Sequence, residues 1–167
     1  MILRAKPLVL LIAIFSLLAV GVACGGGEDG DTTEPAQAPE TTAPPSGEIT
    51  VRAVEYSFLD VPTTIAAGET TFTLVNEGAE PHFFGLAKLT DDAPPATEIV
   101  QLPQKKVMKF LEKELGETST AKPGQTSKKS LTAELTPGRY GYVCFVFSPK
   151  EKAPHALLGM VGEFTVE

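Results

Sequence analysis

Two histidines occur in the 167 residues of this chain, and their spacing from one cysteine and one methionine points to its chemistry. His82 ends the run Asn76-Glu77-Gly78-Ala79-Glu80-Pro81, while His155 lies eleven positions after Cys144 and five before Met160. A distant histidine thus joins a local Cys, His and Met. Two imidazoles, a thiolate and a weak thioether are donors suited to copper, because soft sulfur favours the reduced ion while nitrogen tolerates the oxidised one. A site of that mixed kind changes oxidation state with little rearrangement. Taken singly, the residues have plainer readings: His82 as a structural histidine, Met160 as core, Cys144 as an inert buried thiol. Taken together, they read as a site for one metal ion.

The elements that must bring these residues together are short strands. Strands are expected at Ile49 to Tyr56, Thr70 to Asn76, His82 to Leu89, Ser130 to Leu135, Arg139 to Phe147 and Met160 to Val166. Thr71-Phe72-Thr73-Leu74 and Leu131-Thr132-Ala133-Glu134-Leu135 alternate apolar with polar residues, as strands with one buried face do. Ala67-Gly68, Glu77-Gly78 and Pro137-Gly138 supply turns, and short strands so punctuated predict a sandwich or barrel. One segment breaks the pattern. Ala96 to Leu115 sets Val107, Phe110, Leu111 and Leu115 among charged residues at helical spacing, which predicts an inserted amphipathic helix covering an edge or end of the sandwich. Pro103 suits its first turn and Gly116 its stop.

Four stretches resemble the plastocyanin-like cupredoxins. Pro137-Gly138-Arg139-Tyr140-Gly141-Tyr142-Val143-Cys144 is similar to the strand that delivers their cysteine, and Asn76-Glu77-Gly78 followed by Pro81-His82 is similar to the turn carrying their first histidine. Pro154-His155 with Gly159-Met160 resembles their closing loop, and Val161 to Val166 their last strand. The resemblance spans about Glu48 to Glu167. It implies an all-β, Greek-key β-sandwich holding one copper ion of the mononuclear blue type, with His82, Cys144 and His155 as equatorial ligands and Met160 as the axial one. Two features depart from the family pattern. The loop from Phe145 to Pro154 is longer than in small blue-copper proteins, and Phe83-Phe84 follow His82 where many members have Asn. Hydrogen-bonded support for the ligands must therefore come from elsewhere.

The N-terminus reads as an export segment. Arg4 and Lys6 precede an uncharged run from Pro7 to Ala23, which ends at Gly21-Val22-Ala23-Cys24 and then Gly25-Gly26-Gly27. This predicts a cleaved signal peptide over 1–23, and the sequence before Cys24 resembles the bacterial lipobox, which implies a lipid on that cysteine. Residues 24–47 form an acidic, Pro- and Thr-rich stretch with no large apolar residue, a disordered tether spanning on the order of 25–30 Å as a random coil. The folded domain is expected over 48–167, outside the cytoplasm and held at the membrane by the lipid.

With Cys24 acylated, Cys144 is the only thiol left, and no internal disulfide can form. The chain carries 14 basic and 21 acidic residues, and removing 1–23 takes away two basic ones, leaving 12 against 21, a net charge of −9. Nucleic acid is thereby disfavoured as a partner, and basic protein surfaces are favoured. No Ser-His-Asp arrangement is present, and both histidines are committed to metal, so no catalytic residue is assigned and no enzyme is expected. The leading expectation is a monomeric one-electron carrier working with a redox protein partner. His155 is placed in the more exposed loop, where Ala153-Pro154 and Ala156-Leu157-Leu158 would form a small docking patch. A copper buffering or delivery protein, and a metal-free binding module on the cell surface, are the alternatives.

Overall fold

The computed structural model describes residues 45–167; the signal segment, Cys24 and most of the tether lie outside the described residues. In chain order the elements are β1 (Gly47–Val54), β2 (Ser57–Leu59), β3 (Thr64–Ile65), β4 (Gly68–Asn76), β5 (Gly85–Leu89), α1 (Ala96–Ile99), α2 (Gln104–Val107) and β6 (Leu111–Glu117). They continue with β7 (Leu131–Leu135), β8 (Gly138–Val143), β9 (Phe147–Ser148), β10 (Ala153–Pro154), a 3-10 turn (His155–Leu158) and β11 (Val161–Val166). One sheet has the order β2-β1-β4-β7, the other β3-β11-β8-β5-β6, and β9 pairs with β10 in a small ribbon. β1 runs parallel to β4, and β3 parallel to β11. The rest of the pairs are antiparallel. The expected β-sandwich is present.

Alternation in sequence becomes alternation in burial. In β7, Leu131, Ala133 and Leu135 are buried while Thr132 and Glu134 face solvent; in β4, Thr70, Phe72, Leu74 and Asn76 point inward. Phe72 stacks on Phe84 at 5.2 Å and on Phe164 at 6.0 Å, and Tyr140 stacks on Phe164 at 5.3 Å, so aromatic rings join the two sheets. Burying each such side chain stabilises the fold by roughly 1.5–3 kcal/mol. Asn76, last in the inward row of β4, is the point where this apolar core gives way to polar groups.

The single helix expected from Ala96 to Leu115 is not formed. The segment makes two one-turn helices, each entered from a proline, Pro95 and Pro103, and then the edge strand β6, which pairs antiparallel with β5. A proline at 103 cannot continue a helix begun at Ala96, because its ring clashes with the preceding turn. The spacing of Leu111 and Leu115 was ambiguous. Residues four apart share a face in a helix and in a strand alike. Here bulges in β6 send Leu115 to the main core and Leu111 to the cluster under the insert, and Gly116, read as a helix stop, lies within the strand at φ +107° beside one of them. The insert still covers the sandwich: Ile99 packs with Leu89 and Ala93, flanked by Val107, Phe110 and Leu111. Arg139 holds it down, donating from Nη1 to the Ala93 carbonyl at 2.7 Å while Nη2 pairs with Glu163 at 2.7 Å.

Candidate metal centre

Three of the four sequence candidates leave their strands just where they converge. β5 begins only at Gly85, later than expected, so His82 sits ahead of it in an isolated bridge to Ala121, donating its N–H at 3.1 Å and accepting at 2.8 Å. The strand expected to run to Phe147 stops at Val143, and Cys144 lies one residue beyond. His155 opens the 3-10 turn, its N–H bonded to the Val146 carbonyl at 2.8 Å. Met160 precedes β11, and its backbone ties the others: Cys144 N–H donates to the Met160 carbonyl at 3.0 Å, and Met160 N–H to that of His155 at 2.9 Å. All four side chains are buried. Cys24 lies outside the described residues.

The donor atoms of His82, Cys144 and His155 lie within 4.8 Å of one another. His82 Nδ1 is 3.0 Å from His155 Nδ1, which is 3.7 Å from Cys144 Sγ. An ion with bonds of about 2.0–2.1 Å to nitrogen and about 2.3 Å to sulfur, the zinc values, fits separations of this size. Burial pushes the Cys144 thiol up, while N–H groups of Phe83 and Val146 directed at the sulfur act the other way. Burial likewise pushes the His82 imidazole down, helped by His155, which keeps it neutral as a ligand must be. A soft sulfur beside two imidazoles disfavours magnesium and calcium and fits copper.

The outer nitrogens of both rings face glutamates, which sequence reasoning missed. His155 Nε2 lies 2.9 Å from Glu80 Oε2; a carboxylate can only accept, so Nε2 carries a ring hydrogen and Nδ1 is turned toward the cluster. The hydrogen bond with His155 holds the Glu80 carboxyl below the usual range, against the opposing effect of burial. Ser148 Oγ donates to Glu80 Oε1 at 2.9 Å, and Tyr56 lies over the His155 ring at 5.0 Å between centroids. Glu55 Oε1 stands 3.5 Å from His82 Nε2, too far for a good hydrogen bond. Partial burial raises the Glu55 carboxyl, but the N–H groups of Glu80 and Ala79 prevail and hold it low. The one available signal was Glu80-Pro81-His82, in which an acid stands two residues from a ligand.

His155 is not exposed, contrary to the sequence reading. The 3-10 turn folds it inward under Tyr56, Ser148 and Glu80, and of the expected patch only Leu157 is exposed while Ala156 is buried. The apolar side chains reaching solvent nearby in sequence are instead Phe145 and Phe147.

Gly78 separates the Glu55 carboxylate from the His82 ring. A Cβ there would stand 2.5 Å from Glu55 Oε1 and 2.9 Å from His82 Nε2. Glycine-to-alanine changes usually stabilise by about 0.4–1 kcal/mol through the unfolded chain. Here overpacking outweighs that gain, because Glu55 is pinned by the Ala79 and Glu80 N–H groups at 2.6 and 2.8 Å. Gly78→Ala is expected to cost roughly 1–3 kcal/mol and to weaken metal binding, as thermal melts and a copper titration would reveal; a more stable variant would contradict this packing.

The fold has counterparts among solved structures. It is similar to auracyanin from the photosynthetic bacterium Roseiflexus castenholzii, with 24% identity over 74% of this chain and 98% of that one and a TM-score of 0.50. For auracyanin B the values are 24%, 74% and 90%, with a TM-score of 0.48. No curated protein matches the chain significantly. Residues 46–167 match the family described as copper binding proteins, plastocyanin/azurin family. With so much of its length matched and three buried donors converging at one end of a sandwich, this chain belongs to the plastocyanin/azurin family of copper binding proteins.

Proposed function

We propose that this protein is an extracytoplasmic, lipid-tethered one-electron carrier that holds a single copper ion with His82, Cys144, His155 and Met160. The observation that carries the proposal is the meeting of two imidazole nitrogens and one thiol, all buried, within 4.8 Å. Copper, when bound, supplies reversible one-electron oxidation and reduction. The protein's residues supply the rest. His82 and His155 present ring nitrogens, Cys144 presents sulfur approached by two backbone N–H groups, and Met160 places a soft thioether among the buried residues at this end. The donors are fixed by the backbone bonds among Cys144, His155 and Met160, so little needs to move when the charge on the ion changes. Burial of every donor disfavours the rapid exchange that a delivery protein needs.

A lipid on Cys24 and the tether to residue 47 would keep the domain near a membrane-associated redox partner. Exposed Phe145, Phe147 and Leu157 offer apolar contacts close in sequence to the ligands, and the net negative charge favours a basic partner. Metal analysis with a visible spectrum and a reduction potential tests the assignment. Stoichiometric copper, intense visible absorption and a reversible couple are expected. Copper at 1,000 times its dissociation constant should stabilise the fold by about 4.1 kcal/mol, and a melting temperature indifferent to copper would remove the metal from the account.

A further inference from the structure

We propose that Glu80 is a positioning residue for the metal: its carboxylate grips the outer nitrogen of His155, holds Nδ1 toward the site, and stabilises the oxidised ion relative to the reduced one. The inference rests on the copper assignment above and deepens it.

Glu80 is itself held at every point it offers. Its N–H donates to Glu55 Oε1 at 2.8 Å, and its carbonyl accepts from Asn76 Nδ2 at 2.8 Å. Oε1 accepts from Ser148 Oγ at 2.9 Å and lies 3.4 Å from the Tyr56 hydroxyl, which leaves Oε2 to accept from His155 Nε2. The side chain is only 17% exposed. A carboxylate with two anchored backbone groups and one anchored oxygen has little freedom to turn away when the ion gains or loses an electron. Its bond fixes the ring's tautomer and makes the other nitrogen a stronger donor, as outer partners of metal-bound imidazoles generally do. The negative charge, one ring's width from the site and shielded from water, favours the more positive oxidation state. Glu55 adds a second negative charge on the His82 side at 3.5 Å and pins the Glu80 backbone. The ring edge that would otherwise meet solvent is thereby closed by an anion.

Two measurements on the full chain test this. In the copper-free protein, nitrogen NMR should find His155 with its hydrogen on Nε2 and hydrogen-bonded, and Glu80→Ala should weaken that preference and remove the hydrogen-bond shift of Nε2. In the copper-loaded protein, Glu80→Gln keeps an oxygen to accept from Nε2 but removes the charge. It should shift the oxidised-to-reduced balance about tenfold toward the reduced form, which for a one-electron couple is a rise of about 59 mV. Glu134→Gln removes the same charge from the exposed face of β7 and should move the potential far less. Should Glu80→Gln fold poorly, Glu80→Asp keeps the charge at shorter reach, and the wild-type tautomer remains decisive. A hydrogen on Nδ1 of His155, or a Glu80→Gln potential no different from that of Glu134→Gln, overturns the proposal. A wild type without visible absorption would instead sink the copper assignment, and the tautomer measurement would still judge the contact itself.

Discussion

Copper-loaded Cys144→Ser is expected to be colourless, with metal affinity lowered more than about 100-fold, beyond what loss of an outer partner usually costs. The intense colour of such a site needs a thiolate. Serine offers an alcohol that stays protonated at neutral pH, so both the bond to the metal and its covalent character are lost. The change is otherwise mild. Cys144 is fully buried, but N–H groups of Phe83 and Val146 already point at its side-chain atom and can serve a hydroxyl, so the fold should persist within about 1–2 kcal/mol. That separation of effects makes the variant informative: an unchanged melting curve without copper, together with no visible band when copper is added, identifies the sulfur as a ligand. A visible band that survives the substitution would remove Cys144 from the site. The same pair of readings applies to His155→Ala, where the loss includes the partner of Glu80.

Local signals in the chain carried much of this arrangement. The alternation of Leu131 to Leu135 translated directly into buried and exposed positions, and the stretch Gly138 to Val143 formed the strand leading to Cys144. The three donors could be picked out because histidine and spare cysteine are so rare here that each position is informative. Where the reading failed, the information was either ambiguous or distant. Leu111 and Leu115 fit both a helix and a strand, and only pairing with β5 decides between them. The burial of His155 depends on Tyr56, Glu80 and Ser148, two of them far away in sequence, so an apolar loop gave a false impression of exposure. Glu55 and Glu80 were not singled out in the sequence. Their role arises because β1 and β4 lie side by side in parallel, which brings the segment after β1 against the turn after β4.

That turn depends on Asn76, and Asn76→Ala is expected to destabilise the protein by roughly 2–4 kcal/mol, lowering its melting temperature by roughly 10 °C. The side chain is fully buried and makes three hydrogen bonds: Nδ2 donates to the Glu80 carbonyl at 2.8 Å and to the Ala121 carbonyl at 2.9 Å, while Oδ1 accepts from Gly78 N–H at 2.9 Å. Alanine would leave the Glu80 carbonyl and the Gly78 N–H without their partner and the Ala121 carbonyl with the His82 N–H alone, which costs more than the net worth of the bonds themselves. The damage should reach the metal centre by two routes. Ala121 is the backbone partner of His82, and Glu80 holds His155, so one amide steadies both imidazoles. Loss of Asn76 should therefore move the reduction potential in the same direction as Glu80→Gln, and the two changes combined should fall short of their sum, since residues in one hydrogen-bond network couple. Strict additivity of the two shifts would mean that Asn76 supports the fold without supporting the grip of Glu80 on His155.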